Sequence, residues 1–208
     1  MQWATRRHRL WRVECAFCGQ AQRHPVCEPC RADLPWLNPV FDLEPFEAAR
    51  APLGYAFPVD AAIKRLKFQR RLFYVPAFAV LLQGAIESLP CDIDALLPMP
   101  LHWRRQALRG FNQAAEIANV VRAATGLPFI TNVARTRHTL YQSGLSAAQR
   151  RRNLRDAFRV RGPVESDHVL IVDDVITTGS TGRQLARVLS GAGVPAVSIL
   201  AIARVPER

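Results

Sequence analysis

The chain has 208 residues, 49% of them hydrophobic, which is enough for one folded domain with a small appendage and excludes a globally disordered protein. Its net charge is +11, and all but two of its basic residues are arginines, whose planar guanidinium groups grip phosphate through paired hydrogen bonds. The sequence contains no run of 18 apolar residues and no apolar stretch of a secretory signal, so we expect no membrane insertion and a cytoplasmic location.

The first 37 residues contain four of the five cysteines, as two Cys-x-x-Cys pairs separated by eight residues. Each pair can form one knuckle, and two knuckles supply four thiolates for a tetrahedral, structural zinc site. The predicted ligands are Cys15, Cys18, Cys27 and Cys30. Two alternatives stay open: disulfides, which a reducing compartment disfavours, and ligation by His24 in place of one cysteine.

Composition divides the chain into a cysteine ribbon (1–37), a linker rich in proline and acidic residues (38–58), and an α/β domain (59–208). Within the last of these, hydrophobic spacing predicts strands that alternate with helices, and therefore a parallel sheet with helices on its faces. The predicted strands are 95–99, 169–172 and 196–203, and the predicted helices are 60–66, 75–89, 111–124 and 181–189.

The strand predicted at 169–172 leads into two adjacent carboxylates, Asp173 and Asp174, and then into a loop that opens a helix. The loop residues are Thr177, Thr178, Gly179, Ser180 and Thr181. Backbone N–H groups and hydroxyls at the positive end of a helix dipole suit a phosphate monoester, and two carboxylates suit the vicinal hydroxyls of a ribose. The pattern predicts a ribose 5-phosphate site at the carboxyl end of the sheet.

Three other interpretations compete for this loop. A response-regulator receiver also begins with an apolar strand and an acidic pair, but only 34 residues follow Asp174. A Walker A loop needs Gly-Lys-Ser/Thr, which is absent. A helix cap alone would explain the hydroxyls but not the two aspartates before them.

The segment 169–182 resembles the loop of type I phosphoribosyltransferases that binds phosphoribosyl pyrophosphate (PRPP). Together with segment 97–113, which includes Arg109-Gly110-Phe111-Asn112-Gln113, with segment 135–153, and with the cysteine ribbon, it makes the chain similar to the ComF family, which is associated with DNA uptake in competent bacteria. This resemblance implies a type I phosphoribosyltransferase fold with a small N-terminal zinc ribbon. Many family members carry a second set of Cys-x-x-Cys pairs, which residues 38–50 lack here.

By the same resemblance, Asp173 and Asp174 are the candidate catalytic residues, and the loop 177–181 binds the 5-phosphate of PRPP. The basic loop 100–110 would bind the pyrophosphate, which Mg²⁺ normally bridges, and part of the arginine-rich segment 135–155 would close over the substrate. The arginines predicted to bind PRPP are Arg104, Arg105, Arg109 and Arg137. Any one of them, taken singly, is also compatible with an ordinary solvated surface charge.

The resemblance implies a PRPP-binding protein that acts in DNA uptake and handles single-stranded DNA in the cytoplasm. Its expected partners are PRPP, single-stranded DNA and other competence proteins such as a DNA translocase. Two alternatives stay open: an active phosphoribosyltransferase with an unidentified acceptor, and a PRPP-sensing regulator without catalysis. The motif does not establish turnover, so enzymatic activity is left undecided.

Overall fold

A computed structural model describes residues 13–136 and 157–206 of the chain. The predicted ligand Arg137 and most of the predicted closing loop lie outside these residues. Within them, no helix combines the length and the apolar character needed to cross a bilayer.

Ten strands and six helices make up the described part of the chain. The strands are β1 (Val13–Glu14), β2 (Ala21–Gln22), β3 (Val40–Phe41), β4 (Ala49–Arg50), β5 (Leu53–Gly54), β6 (Ala95–Pro98), β7 (Val133–Arg135), β8 (Phe158–Val160), β9 (His168–Ile176) and β10 (Ala196–Arg204). The helices are α1 (Glu28–Ala32), α2 (Val59–Gln69), α3 (Tyr74–Glu87), α4 (Trp103–Arg109), α5 (Gln113–Thr125) and α6 (Ser180–Gly191).

The central sheet has the order β3–β4–β10–β9–β6, and β5 also pairs with β10. All of its pairings are parallel except that between β3 and β4. Alternate residues of β9 belong to different packed layers: Leu170 and Val172 lie with α2, α3 and α5, whereas Val169 and Ile171 lie with α6. Both faces of the strand are therefore buried, which explains its unbroken apolar run. The predicted α/β fold, a parallel sheet flanked by helices with a small N-terminal cysteine unit, is confirmed.

The N-terminal cysteine unit, formed by the β1–β2 hairpin and α1, packs directly on the α/β layer. Ala16, Val26 and Leu34 are 5–8% exposed and share one buried cluster with Ile63 of α2 and Phe78 of α3. The unit is therefore an integral part of the hydrophobic core.

The segment 38–58, expected to be a linker, instead contributes β3, β4 and β5 to the sheet. Its small apolar residues Ala49, Ala51 and Leu53 are 0–2% exposed, so they bury a surface that a solvated linker would leave in water. The prolines and acidic residues that suggested a linker lie outside these short strands, where they do not interrupt the ladder. The segment 38–58 therefore belongs to the sheet. The division of the chain into domains stays a prediction.

Two further boundaries differ from expectation at the carboxyl end of the sheet. The strand β9 continues through Ile176 because β10 pairs with it as far as Arg204, so Asp173 and Asp174 lie inside the strand rather than after it. The loop 100–110 contains the helix α4, which begins where His102 Nδ1 accepts a hydrogen bond from the Arg104 N–H. This seven-residue helix buries no side chain, so apolar periodicity could not reveal it.

Gly182 is held at a close approach between α6 and the sheet. A Cβ atom there would lie 2.9 Å from Cδ1 of Ile199 and 3.1 Å from Cζ of Phe46. We expect Gly182→Ala to lower the free energy of unfolding by about 1–3 kcal/mol through overpacking. The control Gly84→Ala meets nothing within 4 Å on an exposed turn of α3 and should raise that free energy by about 0.5–1 kcal/mol. Urea unfolding measures both, and equal effects would contradict this packing.

Candidate functional site

The two adjacent carboxylates of β9 lie near the carboxyl edge of the sheet in different environments. Asp174 is 4% exposed, whereas Asp173 is partly exposed and its Oδ1 accepts a hydrogen bond from the Asp174 N–H at 2.8 Å. Burial, followed by the charge of Asp174, raises the pKa of Asp173 well above its usual range. Burial and the neighbouring carboxylate therefore both favour the protonated form of Asp173.

Lys67 supplies the counter-charge to the deeper carboxylate. Its Nζ lies 2.7 Å from Oδ2 of Asp174, and the two side chains are 19% and 5% exposed. The neighbouring residues Ile63 and Leu66 are fully buried, so α2 is anchored in the core and carries Lys67 to the end of β9. Sequence analysis missed this residue, although Lys64 and Lys67 are the only lysines in an arginine-rich chain.

Two arginines, Arg109 and Arg135, lie within electrostatic reach of the aspartates, and Arg105 lies within reach of both arginines. The pKa of Arg109 is lowered mainly by burial, while the charge of Asp174 opposes that shift. The pKa of Arg135 is likewise lowered mainly by burial and then by Arg105, and Asp173 opposes the shift. Cations from α4 and from the β7–β8 hairpin therefore converge on the same edge of the sheet as Lys67.

Of the four arginines predicted to bind PRPP, Arg105 and Arg109 belong to this convergence. Arg109 also donates from Nη1 to Oε1 of Gln113 at 3.0 Å, which orients its guanidinium group. Arg104 is exposed, and its guanidinium carbon lies 5.2 Å from the centre of the Trp103 ring. Arg137 lies outside the described residues.

The predicted phosphate loop connects β9 to α6 as expected from its glycine and hydroxyl pattern. Gly179 adopts a φ of 69°, a left-handed conformation that favours glycine, and directly precedes the first turn of α6. Thr178 and Ser180 interact with each other, since Thr178 Oγ1 lies 3.1 Å from Ser180 Oγ and accepts weakly from the Ser180 N–H at 3.4 Å. The first-turn N–H groups of α6 have no carbonyl partner within their own helix, as at any helix start.

Arg183 braces this loop against the segment that precedes β4. Its Nε donates to the Glu44 carbonyl at 2.7 Å, and its Nη1 donates to the Thr178 carbonyl. Leu43 packs against Gly179, where an added Cβ would meet its methyl groups at 3.1 and 3.2 Å. The reassigned segment 38–58 therefore helps to shape the loop, a role that sequence analysis did not anticipate.

The four paired cysteines form a compact group in which all sulfur atoms lie within 4.8 Å of one another. The Cys18 and Cys27 sulfurs are 3.7 Å apart, well beyond a disulfide length of about 2.05 Å, and all five cysteines of the chain are free thiols. Burial raises the pKa of Cys15, but hydrogen bonds from the N–H groups of Cys18, Cys27 and Phe17 outweigh it and lower that pKa to about 6. A tetrahedral site with Zn–S bonds of about 2.3 Å needs sulfurs about 3.8 Å apart, which this group nearly provides. The group can therefore hold a metal ion, and among the described residues it does not include His24.

Comparison with known proteins identifies relatives over most of the chain. The chain is 32% identical to Competence protein F of Haemophilus influenzae over 91% of its own length and 90% of that protein. It is 33% identical to the DNA utilization protein YhgH of Escherichia coli K12, covering 91% of the chain and 89% of the relative. Competence protein ComFC of Bacillus subtilis is 26% identical over 84% of the chain and 70% of its own length. No family model matches.

Two solved structures align with part of the chain. One is a glutamine PRPP amidotransferase of B. subtilis, 23% identical with a TM-score of 0.40, and the other is an allosteric regulatory enzyme of purine biosynthesis, 21% identical with a TM-score of 0.37. They align with 61% and 59% of this chain, which spans about a quarter of each. At these scores neither structure identifies a ligand for this chain.

The raised pKa of Asp173 generates a prediction about stability. The folded protein keeps a proton that the unfolded chain releases near pH 4, so the free energy of unfolding should fall as the pH rises above that value. Asp173→Asn removes this titration and keeps the Oδ1 acceptor for the Asp174 N–H. We expect the variant to be more stable than the parent at neutral pH, with a flatter pH profile in urea unfolding. The exposed control Asp42→Asn should change neither, and a less stable Asp173→Asn variant would contradict the assignment.

Proposed function

The chain belongs to the ComF family, and on that premise we propose that it binds PRPP at the carboxyl edge of its sheet and handles single-stranded DNA during DNA uptake. The observation that carries the proposal is the convergence of Asp173 and Asp174, the loop 177–181 and a group of cations at one edge of the sheet. The relatives' names, competence protein and DNA utilization protein, support the cellular role.

The 5-phosphate of PRPP would bind the loop 177–181. The first-turn N–H groups of α6, which lack carbonyl partners within the helix, and the hydroxyls of Thr177 and Ser180 offer donors at the positive end of the helix dipole. Asp173 and Asp174 would then accept hydrogen bonds from the two ribose hydroxyls, as carboxylates do in nucleotide-binding folds.

The pyrophosphate of PRPP would be neutralised by the surrounding cations. Arg105, Arg109 and Lys67 lie on the two helices that flank the aspartates, and a doubly phosphorylated ligand needs several such donors. Carboxylate and phosphate oxygens are the ligands that Mg²⁺ prefers, so a Mg²⁺ ion arriving with PRPP fits this edge and would supply further charge neutralisation there. By family resemblance Arg104 and Arg137 complete the set.

The four-cysteine group would hold one structural zinc ion. Four thiolates fill a tetrahedral coordination sphere and leave no position for a water ligand, so the metal would stabilise the fold without taking part in chemistry. Free thiols also agree with a reducing, cytoplasmic compartment for the protein. In that compartment a competence protein such as a DNA translocase would deliver the single strand.

Phosphoribosyl transfer is a second candidate function, because open space lies beside Lys67, the ion-pair partner of Asp174. A cleft of about 370 Å³ between α2 and α4 is lined by Lys67, the partner of Asp174. In such a reaction the bond between ribose C1 and pyrophosphate breaks, and a lone pair of the acceptor forms the new bond to C1. Release of pyrophosphate from PRPP in the presence of candidate acceptors would distinguish a transferase from a PRPP-sensing regulator.

PRPP with Mg²⁺ should raise the thermal stability of the protein, because a ligand that binds only the folded state stabilises it by about 2.7 kcal/mol at 100 times its Kd. The double variant Asp173→Ala, Asp174→Ala should remain folded and lose this shift in differential scanning fluorimetry. The matched control Asp42→Ala, Glu44→Ala removes two exposed carboxylates and should keep it. An unchanged melting temperature of the parent at millimolar PRPP would disprove PRPP binding.

The purified protein should contain one zinc ion per chain when it is prepared under reducing conditions. Cys27→Ser should release the metal and increase amide hydrogen exchange in residues 13–34, because burial of this unit depends on the cluster. Cys91→Ser, at an exposed cysteine outside the cluster, is the matched control and should keep one zinc ion per chain. Metal analysis that finds none, or two per chain, would contradict a single Cys₄ site.

Single-stranded DNA should bind with little sequence preference and with an affinity that falls steeply as salt is added. The triple variant Arg150→Glu, Arg151→Glu, Arg152→Glu, in a segment outside the described residues, should weaken binding strongly in a fluorescence anisotropy titration. The matched control replaces three exposed arginines elsewhere with glutamate and so makes the same change in net charge. These arginines are Arg23, Arg161 and Arg187. If both triple variants lose the same affinity, the segment has no special role, and no binding at low salt would disprove the interaction.

A further inference from the structure

A cleft of about 370 Å³ opens between the end of α2 and the outer side of α4, next to the aspartate pair. Its volume lies in the range of small-molecule sites. We call it the α2–α4 cleft, and its lining residues are Lys67, Phe68, Arg70, Arg105, Leu108 and Arg109.

Two large apolar side chains of the α2–α4 cleft are unusually exposed. Phe68 is 71% exposed and Leu108 is 85% exposed, although they belong to helices on opposite sides of the opening. Exposed apolar surface that lines a cleft and is rimmed by polar residues is typical of a ligand or partner site. A pyrophosphate group alone would not contact the apolar side chains of Phe68 and Leu108 favourably. The cleft is therefore suited to a ligand with an apolar or aromatic part.

The remaining lining residues of the α2–α4 cleft are all cations, and none is acidic. Arg109 lies 5.1 Å from the centre of the Phe68 ring, so one cation is already placed against the aromatic platform. Arg70 adopts a φ of 53°, a left-handed conformation that is uncommon for a residue other than glycine and that the surrounding structure must hold in place. The cleft therefore combines an aromatic surface with a positive field.

Lys67 connects this cleft to the proposed PRPP site. Its ammonium group forms the 2.7 Å ion pair with Asp174, and the same side chain lines the cleft. A ligand in the cleft would thus lie beside the carboxylates proposed to hold ribose, on the side of the sheet edge formed by α2 and α4.

We propose that the α2–α4 cleft is the site of a second ligand, one that joins a planar aromatic ring to a phosphate or carboxylate group. This inference rests on the proposed PRPP site and identifies the chemistry of the molecule that would meet PRPP there. The ring would stack on Phe68 near Leu108, and the anion would be held by Arg70, the lining cation that is not assigned to the pyrophosphate of PRPP. A free small acceptor and a nucleotide unit of a single strand share this chemistry, and the experiment below distinguishes them.

The test uses the full chain with ribose 5-phosphate at saturating concentration, so that the loop 177–181 is occupied. Phenyl phosphate carries both ring and anion, inorganic phosphate carries only the anion, and phenol carries only the ring. Calorimetric titration should show phenyl phosphate binding at least about tenfold more tightly than either fragment, as expected from aromatic stacking added to charge pairing. Equal affinity for phenyl phosphate and inorganic phosphate would overturn the proposal.

Two pairs of variants locate the site. Phe68→Ala should weaken phenyl phosphate binding about tenfold, whereas Phe57→Ala, which removes a phenylalanine that is 82% exposed outside the cleft, should leave it unchanged. Arg70→Gln should weaken it as well, and the neighbouring exposed Arg71→Gln should not. Equal losses within either pair would overturn the assignment to this cleft.

Failure of the PRPP site and failure of the cleft give different results. If ribose 5-phosphate does not bind, the proposed function fails, and phenyl phosphate titrated alone against Phe68→Ala and Phe57→Ala still decides the cleft. Displacement of phenyl phosphate by a ten-residue oligothymidylate would support the proposed ligand site in the cleft. It would also identify the natural ligand as a nucleotide unit of a single strand. Binding that persists beside the oligonucleotide would support the cleft as a site for a free small acceptor.

Discussion

The ion pair between Lys67 and Asp174 is the interaction on which the architecture of the site depends. Two carboxylates inside a parallel strand that is buried on both faces would repel each other and lose hydration, a cost of several kcal/mol per ion without a partner. Lys67 compensates the deeper carboxylate at 2.7 Å, and the raised pKa of Asp173 relieves the second charge. Because α2 must lie where Lys67 can reach β9, the ion pair links helix packing to the chemistry of the sheet edge.

A ligand with ribose hydroxyls would change this balance. Hydroxyl donors and a Mg²⁺ ion would stabilise both carboxylates in their charged form, and the proton held by Asp173 would be released on binding. Because two adjacent carboxylates are costly to keep charged without partners, part of that cost would be recovered when a cationic or hydroxyl-rich partner binds. This is the usual relation between stability and function at a binding site.

The segment between the cysteine unit and α2 gives the fold a feature that the family resemblance alone would not suggest. Residues 38–50 contain no cysteine, yet they are not a free linker, because β3 and β4 extend the sheet beyond β10. From there Leu43 and Phe46 pack on the first turn of α6, and Arg183 ties Glu44 to Thr178. Hydrogen bonds and apolar packing therefore brace the loop 177–181 from this segment.

The sequence by itself determined the features that are local along the chain. The apolar run of β9, the two aspartates, the Thr-Thr-Gly-Ser-Thr loop and the spacing of the four cysteines all lie within short stretches of sequence, where periodicity and turn chemistry are decisive. Only the tertiary structure decided the partners of these features. Lys67 and Arg135 reach the aspartates from distant segments, β4 and β5 join β10 across most of the chain, and α4 forms without burying a side chain. Pairing between distant segments depends on how whole layers pack, and no pattern within one short segment encodes it.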